Sequence, residues 1–227
     1  MWIQRIKVQR LSGKQRKKKE DQLIIDREFI LKLNGIETSF ICVPSTVKEM
    51  MIGFAFHTGA INSIDDITEI KIHENLVKID TKPTLGEVKY GPLKSNYIIQ
   101  AEKLYSKMYD FQDQALMFKE SAITHSASFA DEKELFYFSE DIERIQACYK
   151  AIGQFLNKKS VANNQWFLCS SKLDKPLVST LLRLGIRHII SRVAPTNEAY
   201  QLANDSECTL IGFCRSQKCN LYCGAIN

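Results

Sequence analysis

Long apolar runs are missing from this sequence. Nowhere do about 18 consecutive apolar residues occur, so no segment is expected to cross a membrane as a helix. Glycine-rich phosphate loops are missing too: neither G-x-x-x-x-G-K-[ST] nor G-x-G-x-x-G is present, which removes the P-loop and the Rossmann dinucleotide cradle. There is no H-x-E and no C-x-x-C, so the zinc-bound water of nucleoside deaminases has no ligand set. No G-x-S-x-G elbow presents a nucleophilic serine. The opening "MWIQRIKVQR" is charged throughout and lacks the apolar stretch of a signal peptide. Aromatic residues do not interleave with the basic run near Arg16–Lys19, which argues against a nucleic-acid platform.

What is present suits a globular protein. With 227 residues and 44% hydrophobic content, the chain can bury one core or two small ones. Seven cysteines, an odd number with four in the last 20 residues, do not resemble a secreted disulfide framework. Reduced thiols and a cytoplasmic location are the expectation. The net charge of +5 is uneven: residues 1–20 carry eight Lys/Arg and one Glu, and the rest is close to neutral. Residues 1–22 therefore read as a basic N-terminal segment. It is either solvated and partly disordered or able to attract polyanions.

Residues 23–95 read as a small α+β domain and linker. "EFILKLNGIETSFICV" is a hairpin turning at Asn34-Gly35. "STVKEMMIGFAFHTG" is a helix with a Thr46/Glu49 capping box, a Val47, Met50, Met51, Phe54 stripe and Gly59 beyond its end. "ITEIKIHENLVKIDT" is a second hairpin turning near His73-Glu74-Asn75, and residues 81–95 form a linker.

From 96 to 227 the rhythm is that of an α/β domain. An amphipathic helix over about 96–118 precedes a hairpin, "THSASFADEKELFYFS". The helix "EDIERIQACYKAIGQFL" buries Ile142, Ile145, Tyr149, Ile152 and Leu156. Strand "QWFLCS", helix 174–184, strand "HIIS", helix 196–204 and strand "CTLIGFC" then alternate, the mark of a partly parallel sheet. Ligands in such sheets bind at the carboxyl ends of the strands. That rule groups Ser170-Ser171-Lys172, Ser191-Arg192 and Phe213-Cys214-Arg215.

Cysteine and histidine patterns add little by themselves. Cys208, Cys214, Cys219 and Cys223 fit no standard zinc spacing, and no metal site is expected. Cys219 and Cys223 are the pair expected to be more exposed. Among the histidines, His57 and His73 read as surface or capping groups and His188 as a satisfied structural residue. His125 has the best claim to a ligand.

The segment "EFILKLNGIETSFICVPSTVKEMMIGFAFHTGAINSIDDI" resembles the N-terminal part of the formate dehydrogenase accessory protein family, the FdhD sulfurtransferases. "THSASF", "EDIERIQACYKAIG" and "GIRHIISRVAPTNEAYQLANDSECTLIGFCRSQKCNLYCG" resemble its later motifs in the same order. The resemblance covers about residues 28–224 and is most specific in "SR-x-APT" and "TLIGF-x-R". It implies a small α+β domain followed by a cytidine-deaminase-like α/β domain. It also implies a maturation factor taking sulfur from a cysteine desulfurase and passing it to the molybdopterin guanine dinucleotide of formate dehydrogenase. The residues it assigns to cofactor binding are His125, Arg144, Ser170, Ser171, Lys172, Ser191, Arg192, Pro195, Thr196, Phe213, Cys214, Arg215, Ser216, Gln217 and Lys218.

The sequence departs from the family where sulfur would be carried. The family's C-G-x-C-G loop should fall in "GEVKYGPLKSNY", which contains no cysteine. Its T-G-G before the histidine is Ala122-Ile123-Thr124, its G-R-H-N is Glu143-Arg144-Ile145-Gln146, and its S-G-R is Ser170-Ser171-Lys172. Three readings follow. The first is an accessory protein that binds the cofactor and supports its sulfuration through another thiol. The second is a non-catalytic paralogue acting as a cofactor-binding chaperone. The third, an unrelated small-molecule enzyme, lacks nucleophile motifs. No membrane or nucleic-acid partner is expected; a homodimer is compatible with the sequence, which fixes no oligomeric state.

Overall fold

The computed structural model describes residues 2–83, 97–160 and 164–227. The linker reading of 81–95 lies, from residue 84 onward, outside the described residues. Strands β1 (Ile3–Ser12) and β2 (Gln15–Ile24) pair in register as an isolated antiparallel ribbon around a two-residue Gly13-Lys14 turn. This corrects the expectation of a partly disordered head. Sequence patterning misses the ribbon because both of its faces are solvated along most of its length, so no apolar alternation marks it.

A four-stranded sheet follows, in the order β4-β3-β6-β5. It contains β3 (Arg27–Leu33), β4 (Ile36–Cys42), β5 (Ile67–His73) and β6 (Leu76–Thr81), so both expected hairpins are present. Helix α1 (Val47–His57) links them. Its capping box does not form: Thr46 is left-handed, with φ 49°, and caps nothing. Glu49 instead accepts from Asn157 Nδ2 at 3.4 Å.

The larger sheet runs β12-β11-β10-β9-β7-β8. Strands β7 (His125–Ala130) and β8 (Leu135–Asp141) form its hairpin. Strands β9 (Trp166–Cys169), β10 (His188–Ser191) and β11 (Thr209–Arg215) lie parallel, as their alternation with helices predicts. Strand β12 (Lys218–Cys223) folds back on β11 as an antiparallel edge, and sequence reading missed it. One face packs on α4 (Arg144–Asn157), α5 (Lys175–Arg183) and α6 (Asn197–Asp205). The other is covered by α2 (Ala101–Asp113) through Leu104, Met108 and Phe111.

The helix expected over 96–118 is in fact α2 and a separate α3 (Leu116–Ser121). Buried Glu140 on β8 imposes the break: its carboxylate accepts from Met117 N and Phe118 N, each at 2.9 Å, and captures the free amides of a new helix start. Ile142 precedes α4 rather than lying on it, and Ile145 is only half-buried.

The two sheets share one apolar cluster, joined where α1 crosses α4. At the crossing a Cβ on Gly53 would overlap the Tyr149 carbonyl, and one on Gly153 would overlap that of Glu49. Beside it lies a fully buried ion pair, Lys150 Nζ to Asp141 Oδ2 at 2.7 Å. Lys150 also donates to Val43 O at 2.9 Å, while Asp141 Oδ1 accepts from Val43 N at 3.1 Å. Both partners therefore grip the chain leaving β4. Gly153→Ala should cost about 3 kcal/mol or more, because backbone rather than a flexible side chain must move. Urea denaturation checks this, with no loss of midpoint as the contrary result.

His188 was expected to be satisfied, yet both its ring nitrogens are buried without a hydrogen-bond partner. It packs edge-on to Tyr97, centroids 5.3 Å apart. Burial pushes its pKa down to about 4, well below its ordinary value. The folded form thus resists protonation that the unfolded chain accepts, and stability present above about pH 6.5 falls as pH drops toward 4. The loss should reach about 3 kcal/mol, and His188→Leu should flatten this part of the pH–stability curve. Denaturant unfolding at successive pH values measures it.

Candidate functional site

Strands β9 and β10 end side by side and bring Ser170–Lys172 to Ser191–Arg192, while β11 continues past its last pair with β10, so that Phe213–Arg215 lies beyond that edge and meets it through Arg215. Strand β7 runs antiparallel to β9, which brings its first residue, His125, to the same edge. Arg144, the first residue of α4, joins it there. Arg144 Nε donates to His125 Nε2 at 3.4 Å. Since a guanidinium can only donate, the His125 proton resides on Nδ1, facing Ser170 Oγ at 3.5 Å. Ser170 Oγ is fixed in turn by accepting from Ser126 N at 2.9 Å. Burial, then the Arg144 charge, lowers the His125 pKa and favours the neutral ring. Arg192 is half-buried beside this cluster, its Nε buried without a partner. Burial and the charge of Arg215 together press its pKa down.

Other expected site residues serve the fold. Ser191 is fully buried, and its hydroxyl donates to Ser171 O at 2.5 Å and accepts from Val193 N at 3.0 Å. Ser171 is itself buried. Thr196 caps α6, accepting from Ala199 N at 3.3 Å. Pro195 bridges to Leu173 and packs near Gly212. Lys172 faces solvent and pairs with Asp174 at 3.3 Å. Cys214 points into the α2 face of the core. His57 is tied to Thr180 Oγ1 at 2.8 Å, and so anchors α1 to α5 rather than lying free on the surface.

Phe213, Arg215, Ser216, Gln217 and Lys218 occupy a second place. They line one wall of an open groove of about 1580 Å³ between α2 and the β11–β12 hairpin. Phe213 is 45% exposed despite its size and has φ 50°, where the β11 register shifts. The opposite wall is Glu102, Tyr105, Tyr109 and Gln112 of α2. Sequence reading missed this wall. Its signal was a polar and aromatic stripe at helical spacing, opposite the Leu104, Met108, Phe111 stripe that packs inward. Arg215 joins the two places: it lines the groove and its Nε donates to Arg192 O at 3.2 Å.

The arrangement offers planar rings, two cations and amide side chains in a groove, with a neutral histidine and arginines at the adjoining sheet edge. Such a surface suits a ligand with aromatic and phosphate parts. Among the described residues no His/Cys/Asp/Glu cluster could hold a metal ion. No described helix is long and apolar enough to cross a membrane.

Residues 80–226 match the model of the FdhD/NarQ family. Among curated relatives, "Protein FdhD" of Methanocaldococcus jannaschii is 27% identical over 97% of this chain and 96% of its own. "Sulfur carrier protein FdhD" of Bacillus subtilis is 26% identical over 90% of this chain and 89% of its own. A crystal structure assigned to a formate dehydrogenase accessory protein from Desulfotalea psychrophila superposes with a TM-score of 0.85. It covers 99% of this chain and 98% of its own at 21% identity, a likeness of fold.

The His125 tautomer is directly observable. Nitrogen-15 NMR at pH 7 should show the proton on Nδ1, with an imidazole pKa below the usual 6.5 or so. Arg144→Ala should bring that pKa up toward the ordinary value; an unchanged titration would mean that the two side chains do not interact in solution.

Proposed function

Because the chain belongs to the FdhD/NarQ family, we propose that it supports formate dehydrogenase maturation by binding the molybdopterin guanine dinucleotide cofactor as its cargo. The observation that carries this is the groove wall formed by Phe213, Arg215 and Lys218 opposite Tyr105 and Tyr109. Guanine and pterin are flat and polar-edged, so they stack on exposed rings while Gln112, Gln217 and Asn220 meet their edges. The diphosphate falls to Arg215 and Lys218, the guanidinium giving paired donors and the ammonium a point charge. Arg144, held by His125, and Arg192 extend donors along the sheet edge toward the rest of an elongated ligand. A cysteine desulfurase as sulfur source and formate dehydrogenase as recipient are the partners in this reading, in the cytoplasm.

A second reading keeps the groove but not the sulfur chemistry: a cofactor-binding chaperone. It is favoured by one observation, the lack of any cysteine between residues 84 and 96.

Guanosine diphosphate, a fragment of the cofactor, tests the groove. Calorimetry should detect binding at or below millimolar concentration, and Arg215→Ala should weaken it by about 1–3 kcal/mol. Removing residues 2–22 should change it little at physiological salt, where the ribbon's charges are screened. Absence of binding, or full binding by the Arg215 variant, overturns the reading.

A further inference from the structure

Six of the seven cysteines are buried; Cys219 on β12 is the one that is not. Cys223, expected to be exposed with it, is buried against the start of β11. Cys219 lines the groove in company with Arg215 and Lys218. Two hydrogen-bond donors flank its sulfur. The Tyr105 hydroxyl lies 3.9 Å from Sγ, reaching it from α2. The Cys214 thiol hydrogen-bonds to it from the neighbouring strand, within the irregular stretch between Gly212 and Arg215 where the strand register shifts. Both neighbours hold their protons tightly. Cys214 is pushed up to about 12 by burial and by Cys219, and Tyr105 is raised chiefly by its hydrogen bond to Cys219. Each is thus a standing donor toward one sulfur that opens on a cationic groove, and no other cysteine has this setting.

We propose that Cys219 is a sulfane-sulfur acceptor, with Tyr105 and Cys214 positioning its sulfur in the groove. The inference rests on the cofactor-binding reading only for its purpose, since the chemistry stands alone. The Cys219 sulfur attacks the outer sulfur of a persulfide donor, R–S–S–H. The donor S–S bond breaks as the Cys219 S–S bond forms. The donor leaves as its thiol, R–S–H, taking up the proton that Cys219 gives up. The moved sulfur keeps its oxidation state and its own proton, so no external oxidant or reductant enters. Cys219 ends as a persulfide inside the groove, where the loop thiol of the family has no counterpart in this chain.

The full chain is incubated with glutathione persulfide, alkylated, and mapped by mass spectrometry, alongside a guanosine diphosphate titration of the same preparation. About one sulfane sulfur per chain should load on the peptide holding Cys219, and none in Cys219→Ser. Tyr105→Phe should slow loading by about 3- to 10-fold, the effect of losing one ordinary hydrogen bond. Loading on buried cysteines instead of Cys219, or equal loading by Cys219→Ser, overturns the proposal. Guanosine diphosphate binding without loading overturns it too and leaves the cofactor reading standing. Loading without nucleotide binding keeps the sulfur site and removes the cofactor reading. Mapping of the wild-type chain decides the matter even if a variant does not fold.

Discussion

The α1–α4 crossing has no side chains at its centre, because Gly53 lies under the Tyr149 carbonyl and Gly153 under that of Glu49. Helices that meet backbone to backbone have little freedom to slide, and the small sheet comes docked to the large one in one arrangement. The Lys150–Asp141 pair reinforces it from inside. A buried ion pair is weak evidence of net stability, yet losing one partner strands a charge, so mispacked alternatives are penalised. The consequence reaches the site. Asp141 pairs in register with His125, and Lys150 sits on the helix whose first residue is Arg144. The contact that joins the sheets also sets the sheet edge.

The two parts of the site are built on opposite principles. At the sheet edge the hydroxyls of Ser170, Ser191 and Thr196 make internal hydrogen bonds. They hold loops at fixed positions and leave the donors of Arg144 and Arg192 for a ligand. In the groove the side chains of Arg215 and Lys218 extend from a tight turn, and the aromatic wall comes from a different layer of the fold. A hydrogen-bonded edge and an open groove together suit a long ligand whose ends differ in chemistry.

Strand–helix alternation from residue 166 onward was legible because each strand there is a short apolar run beside an amphipathic helix. It correctly placed two of the three segments at one edge, with the third just beyond it. What it could not show was which polar atoms were already engaged. Ser191 reads as a ligand group in sequence, but its hydroxyl already donates to the backbone carbonyl of Ser171. The break between α2 and α3 depends on Glu140, some two dozen residues away in the chain, and no local pattern encodes it. His188 was misjudged for a related reason: burial is readable from neighbouring apolar residues, whereas partners are a tertiary property.

Phe213 illustrates a tension within the groove. A bulky side chain at φ 50° sits in backbone that favours glycine, at a cost of about 1–2 kcal/mol. The strained residue is also the one whose ring is turned out into the groove rather than into the core. Selection for thermal robustness alone would replace it with glycine, relaxing the bulge and erasing an aromatic wall in one step. A version of this chain stabilised by consensus or laboratory evolution would therefore tend to lose its ligand surface first at this position, while its fold improved.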